Sequence, residues 1–344
     1  MSNARRAVPA ITFNGANVTK KLAPYLESLS YTDVAAGSSD SMEIKLQNID
    51  MKWLGAWYPT KGDKIKGSIE FKDWKKDGDN WTYQFGKCIL DEISFSGNPL
   101  SASFGALAVP ANESFTTKER TKTWKDVTLA GIAGSIAGRY GLSLGYDASS
   151  IQIKSLEQSQ ESDSAFLFKL CEKYGLSMKV YNSKLAIYDM GKLEAKGPSL
   201  TLKPEDMIDG DWEFRDALAG TYTGARVSYK KTTGNEAETD EYSVFVGLVG
   251  EDAKGSRVLR LNETTDSKAE AKMIGAAKVN ISNRETTTFS CTILANKKMY
   301  TGITVKISGL GKADGKYFVD KVTTTVEASG STQKIEMHKC QPQL

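Results

Sequence analysis

Residues 302–337 read GITVKISGLGKADGKYFVDKVTTTVEASGSTQKIEM. Three short strand-like runs, ITVKISGL, GKYFVDKVTTTVE and the STQKIEMHKC that carries on to Cys340, are separated by turns rich in Gly and Asp. Strands this short and this close together predict a small barrel or a curled sheet. In the middle run Tyr317, Val319 and Lys321 share one face, and Phe318, Asp320 and Val322 the other. The alternation leaves open which face points inward. SGLGKADGK at 308–316 has the composition of a phosphate loop, but a strand follows it, not a helix. The anion-binding helix N-terminus is missing and a β-turn is expected.

Upstream, FSCTILAN, RVLRLN, TDEYSVFVGL and AGTYTGARVSYKK also suit strands. One helix interrupts them, DSKAEAKMIGAAKVNISNRE, expected to be capped by Asp266 or Ser267 and to bury Met273, Ile274, Ala277 and Ile281. The N-terminal third is β-rich as well. SMEIKLQN alternates apolar Met42, Ile44 and Leu46 with polar neighbours, so one face can be buried. Asp50 is expected to cap a short helix that carries Trp53, Leu54 and Trp57 and stops at Pro59. KDGDN at 76–80 is a hairpin turn before WTYQFGKCILDEISFSG, and this third looks like a meander that closes on itself.

The middle of the chain has a different period. TWKDVTLAGIAGSIAGRYG predicts an amphipathic helix with Thr123 as N-cap and Asp126 three residues on. Its stripe is Leu129, Ile132, Ala133, Ile136, Ala137 and Tyr140, and Gly141 closes it. A second helix carries Phe166, Leu167, Leu170, Cys171 and Tyr174 and ends at Gly175. Both finish in Tyr-Gly-Leu-Ser and lead into strands, the second into a hairpin that turns at Asn182-Ser183. Residues 120–190 therefore read as a small α+β unit.

Four carboxylates, Glu157, Glu161, Asp163 and Glu172, lie in and around that second helix. A glycosidase pair needs two carboxylates facing across a cleft, one with a raised pKa. Glu161 and Asp163 instead fall where negative charge meets the positive end of the helix dipole, Ser162 or Asp163 can cap it, and Glu172 sits on the polar face. The single histidine, His338, alternates with Ile335 and Met337 in the last strand, and a solvent-facing position is expected. It has no Gly-x-Ser-x-Gly nucleophile to serve. Cys171 lies late in its helix, where the dipole disfavours a thiolate, and reads as a buried free thiol. Trp53 and Trp57, four apart, read as the lid of a core. No residue is assigned a catalytic, cofactor-binding or metal-binding role.

The totals agree with a structural part. The chain has 344 residues, room for two or three domains, with 45 basic and 42 acidic residues and a net charge of +3. Such a balance argues against a dedicated nucleic-acid binder, and the excess of Lys over Arg against bidentate phosphate reading. Cys88, Cys171, Cys291 and Cys340 form no Cys-x-x-Cys pair, so neither zinc nor a disulfide framework is suggested. No apolar run is long enough to cross a bilayer, and the N-terminus lacks a secretory signal, which points to synthesis in the cytoplasm.

The order of segments carries a resemblance. A β-region precedes LEQSQESDSAFLFKLCEKYGLSMKVYNSKLAIYD; a second β-region containing SKAEAKMIGAAKVN follows, and the chain ends in the stretch quoted first. This order resembles the phage late control D family, the hub proteins of contractile phage tails and related injection particles. The resemblance covers nearly the whole chain; its most specific parts are the ESD-x-x-FL-x-x-L-x-x-x-YGL helix and the final G-x-Y-x-V segment. It implies a predominantly β, α+β fold with two tube-like β-barrel domains, residues 1–115 and 196–344, the latter with one inserted helix. Between them, residues 116–195 would form a small helical domain similar to a lysin-motif region. It further implies a homotrimer that adapts a sixfold tail tube to a threefold central spike, with the spike, the tube and baseplate wedge proteins as partners. No cofactor, specific nucleic acid or membrane segment is implied. The competing expectation is a tail protein that binds or hydrolyses peptidoglycan, through Glu161 or Asp163.

Overall fold

The structure is a computed structural model that describes residues 4–108, 114–181, 183–230, 241–265 and 267–344. The N-terminal part comprises β1 (Arg6–Phe13), β2 (Ala16–Asn17), the single-turn helix α1 (Thr19–Leu22), β3 (Leu26–Val34), β4 (Ser41–Gln47), β5 (Lys64–Lys72), β6 (Trp81–Gly97) and β7 (Leu100–Leu107). The strands lie in the order β3-β4-β7-β6-β5-β1-β2, all antiparallel. The alternation in β4 works as expected: Met42, Ile44 and Leu46 are buried beside Leu29, Ile69 and Phe104. Burying each such side chain is worth about 1.5–3 kcal/mol. Asp50 does not cap the turn that follows. It pairs with Lys52 at 2.5 Å, while Asn48 Oδ1 accepts from the Trp53 backbone N–H at 3.2 Å. Only one 3-10 turn forms, Lys52–Leu54, with Trp53 buried against Phe104 and Trp57 half-exposed above it.

The middle part comprises α2 (Ser114–Thr117), β8 (Glu119–Thr128), α3 (Leu129–Arg139), β9 (Ser143–Asp147), β10 (Gln152–Ser162), α4 (Asp163–Lys173), β11 (Leu176–Tyr181), β12 (Lys184–Asp189) and α5 (Met190–Glu194). The first helix starts later than the sequence predicts. Residues 119–128 form a strand paired with β10, and Thr128, not Thr123, caps α3 by accepting from Gly131 N. The reason is local: Thr121, Thr123 and Val127 are β-branched and alternate with the buried Trp124, so the segment satisfies a strand before the helical stripe begins. The stripe from Leu129 to Ala137 is buried as expected and meets Phe166, Leu167, Leu170 and Cys171 of α4 in one core. Ser162 caps α4. Gly141 and Gly175 close the helices with φ of 64° and 71°. The two strands that follow the Tyr-Gly-Leu-Ser repeats, β9 and β11, flank β12 on either side. The turn residue Asn182 lies outside the described residues.

The last part comprises β13 (Leu200–Leu202), β14 (Met207–Asp216), β15 (Gly224–Lys230), β16 (Glu241–Gly247), β17 (Val258–Thr264), α6 (Lys268–Arg284), β18 (Thr287–Leu294), β19 (Thr304–Ile307), β20 (Gly315–Glu327) and β21 (Gly330–Lys339). Ser267 caps α6; Asp266, the other expected cap, is outside the described residues. The helix packs on a separate sheet, β16-β15-β17, and Gly275 brings it close: a Cβ there would sit 2.8 Å from Val227. Ile274 and Ala277 are buried, but Met273 is exposed, pushed to the outer side of the helix by that approach.

Strand β20 ties the β-structure together. Its first residues, Gly315–Phe318, pair with β19; Lys321–Glu327 pair with β3; β21 runs along its other edge. The change of neighbour falls at a register shift between Val319 and Lys321. One sheet of 13 strands results, in the order β14-β18-β21-β20-β3-β4-β7-β6-β5-β1-β2, with β13 and β19 joined at β20. The protein is predominantly β, as expected, but the ladder has two ends. The expected pair of closed barrels is replaced among the described residues by two halves of one open sheet, because β20 is long enough to serve both. The N-terminal half curls back until β1 lies against β20 and β21. Tyr317, Phe318, Val319 and Val322 are all fully buried, and only Asp320 and Lys321 between them reach solvent.

Candidate functional site

The four carboxylates singled out in the sequence do not converge. Glu157 is exposed, Glu161 pairs with Lys169 at 2.6 Å, and Glu172 pairs with Lys278 of α6 at 3.0 Å. Asp163 alone is fully buried. Placed at the first position of α4, it accepts from Gln158 Nε2 at 2.9 Å and from the Tyr140 hydroxyl at 2.6 Å, pairs with Arg139, and lies 3.2 Å from Arg120 Nε. Burial would raise its pKa, but the bonds from Tyr140, Gln158 and Arg139 and the charge of Arg139 outweigh burial and hold it below the usual carboxylate range. An enclosed, ionised carboxylate with its acceptor sites occupied ties β8, β10, α3 and α4 together. The sequence suggested a helix-end charge there, but no local signal announced the two arginines.

His338 is not solvent-facing. It is buried, with Nδ1 2.8 Å from both carboxylate oxygens of Asp320 and Nε2 3.4 Å from Glu194 Oε1. Glu194, at the end of α5, also accepts from Arg284 Nε of α6 at 2.6 Å and from Gln343 at 3.0 Å. Burial would lower the imidazole pKa, but the contacts with Asp320 and Glu194 and their charges raise it. Asp320 is hydrogen-bonded at Nδ1, and Glu194 faces Nε2 outside good hydrogen-bond geometry, so both carboxylates favour the protonated ring through their charge. Glu194 is held low: burial opposes its charge, and the contact with His338 and the charge of Arg284 win.

A second ionic junction lies close by, joined to the first through Ala35, whose N–H donates to the Asp320 carbonyl at 2.7 Å. Lys179 of β11 reaches Asp33 at 2.6 Å and Asp40 at 2.8 Å, and donates to the Val34 carbonyl at 2.6 Å. Burial would lower the lysine's pKa, and the charges of Asp33 and Asp40 overcome this and raise it. Asp40 itself is pushed up by its burial against the pull of Lys179. Tyr31 donates to Asp40, the Thr301 hydroxyl donates to Asp33, and Tyr188 of β12 donates to the Ala35 carbonyl at 2.5 Å. These contacts border a cleft of about 920 Å³ where the N-terminal, middle and C-terminal parts meet.

Cys88, Cys171 and Cys291 are buried, and burial pushes each thiol up to about 12, so none is poised as a nucleophile. Among the described residues no group of three or more His, Cys, Asp and Glu side chains is placed to hold a metal ion, and no helix is long and apolar enough to cross a membrane. What the arrangement does chemically is lock: buried ion pairs fasten the middle part to the β-halves on either side of β20.

No protein-family model matches the chain. It is similar to the probable baseplate hub protein of Escherichia phage 186, with 25% identity over 95% of this chain and 91% of the relative. It is also similar to that of Escherichia phage P2, with 24% identity over 93% and 90%. Its fold is shared with the 43 kDa tail protein of prophage MuSo2 from Shewanella oneidensis, at a TM-score of 0.71 and 11% identity over 97% of this chain and 98% of that one. It is shared too with a component of the Escherichia coli type VI secretion system, at a TM-score of 0.53 and 8% identity over 92% and 74%. The resemblance read from the order of segments is thus borne out: along about 95% of its length the chain is a homologue of the probable baseplate hub proteins of phages 186 and P2.

Proposed function

We propose that the chain is the hub subunit of a contractile tail or related injection particle, a structural part made in a bacterial cytoplasm and built into the baseplate. Three copies would form a ring, each giving two tube-like β-halves, approximately residues 1–115 and 196–344. The ring would join a sixfold tube to a threefold spike, with the tube, spike and wedge proteins as neighbours and residues 116–195 hung at its side. The observation that carries this reading is the likeness to hub proteins along nearly the whole chain. The fusion of both β-halves through β20 supports it, because one rigid sheet fixes the angle between two ring positions within a subunit.

The geometry favours a non-catalytic role over peptidoglycan hydrolysis. Asp163 is ionised, enclosed and bonded on all sides, whereas a general acid needs a raised pKa and an open approach. Glu161 is tied to Lys169. Co-expression with the particle's spike protein, followed by native mass spectrometry, tests the assembly. A complex with three copies of each chain is expected; a stable complex with six copies of this chain per spike trimer would contradict it.

A further inference from the structure

The cleft where the three parts meet has an uneven charge. Lys64 and Lys66 of β5 and Lys87 of β6 line one wall. Lys66 and Lys87 are direct partners across the β5–β6 ladder, and Lys64, two residues along, shares their face. The alternate residues Ile65, Gly67 and Ile69 face the core. Like charges directly opposite each other destabilise a sheet, so neighbouring carboxylates would be expected to neutralise them. Those carboxylates are engaged elsewhere. Asp33 and Asp40 are held by Lys179, Glu70 pairs with Lys72, and Asp63 accepts from Asn14 and from the Thr60 N–H. Among the described residues no carboxylate lies within 4.0 Å of these three ammonium groups. The rim carries exposed aromatics, Tyr181 and Tyr300, of the kind that anchor interfaces.

We propose that this lysine wall is the docking site for an acidic, extended polypeptide segment of a partner protein. An extended chain places side chains of one face about 7 Å apart. Carboxylates on alternate residues therefore match the repeat of Lys64 and Lys66 along their strand, with Lys87 beside them. Among the charged lining residues every cation is a lysine; a phosphate-reading groove would favour arginine forks and a longer basic track. The partner's carboxylates would supply the neutralisation that the fold withholds. The inference does not depend on the number of hub copies in a particle.

Fluorescence anisotropy with a labelled (Glu-Ser)4 peptide, on the full chain at low salt, tests it. Saturable binding is expected that weakens as salt is added. The combined change Lys64→Gln, Lys66→Gln and Lys87→Gln should weaken it by at least about tenfold, the effect of three partly exposed ion pairs. Glutamine at Lys20, Lys21 and Lys312 should leave it unchanged. Because the wall lysines repel one another, Lys66→Gln should unfold at the same temperature as the unaltered chain or a higher one. Absence of saturable binding, an equal loss in both triple variants, or tighter binding of an eight-residue oligothymidylate would each overturn the proposal.

Discussion

The imidazole of His338 and the carboxylate of Asp320 meet on neighbouring strands, Nδ1 lying 2.8 Å from both oxygens, at the point where β20 changes partners. The ring's other nitrogen faces Glu194 at the end of α5, so one proton-dependent group joins the shared strand to the middle part.

His338 should titrate above the ordinary imidazole value of about 6.5. A raised folded pKa means its stabilisation is complete below the unfolded value and is lost as pH rises through the folded one. His338→Gln should therefore cost about 1–3 kcal/mol at pH 6 and progressively less in alkali. As the chain has one histidine, NMR titration of its imidazole protons reads the pKa directly. A value below 6.5, or a cost that grows with pH, would break the assignment.

Asp163 shows the opposite sign. Its lowered pKa stabilises the fold above the ordinary carboxylate value, and this is lost as pH falls through the folded value. Asp163→Asn should cost about 3 kcal/mol, the lower end for a broken buried pair because both arginines keep some contact with water. Glu161→Gln should lie within about 0.5 kcal/mol of the unaltered chain and leave particle activity intact. Denaturant titration with a killing or injection assay checks both.

Lys179→Met should release the middle part from the β3–β4 corner. It strands Asp33 and Asp40, at a cost of roughly 3–5 kcal/mol. Hydrogen exchange should accelerate in β11 and β12 and in the Val34–Ala35 segment together. Acceleration confined to β11 would show that the lysine does not couple the parts.

A charge at either of the two core valines of β20, which the bulge between them turns into one apolar cluster, should not be tolerated. Val319→Asp and Val322→Asp each bury an unpaired carboxylate where the native side chain is fully buried, costing more than about 3 kcal/mol. Loss of soluble folded protein is expected for both; a folded Val322→Asp would mean that the core shared by Val319, Val322 and Ile335 is open to water.

Much of this architecture was legible locally. Gly141 and Gly175 mark helix ends by their backbone freedom and Ser162 by its capping hydroxyl, and Met42, Ile44 and Leu46 mark a half-buried strand by period two. What stayed hidden depends on distant partners. Residues 119–128 look like the run-in to a helix until β10 offers them a ladder. His338 looks exposed because Ile335 and Met337 alternate around it, and only the fold brings Glu194 and Arg284 to its far side. The closed barrels implied by the resemblance gave way for a similar reason: nothing in GKYFVDKVTTTVE says that its two halves will pair with β19 and β3 in turn. The lysine wall required the β5–β6 register, which a bulge near Ser68 offsets.

Cryo-electron microscopy of the assembled particle tests the central claim most directly. The account predicts three copies of this chain between tube and spike, each contributing its N-terminal and C-terminal β-halves to a ring of six. Six copies in that ring, one β-half per chain, or a position away from the tube–spike boundary would contradict it.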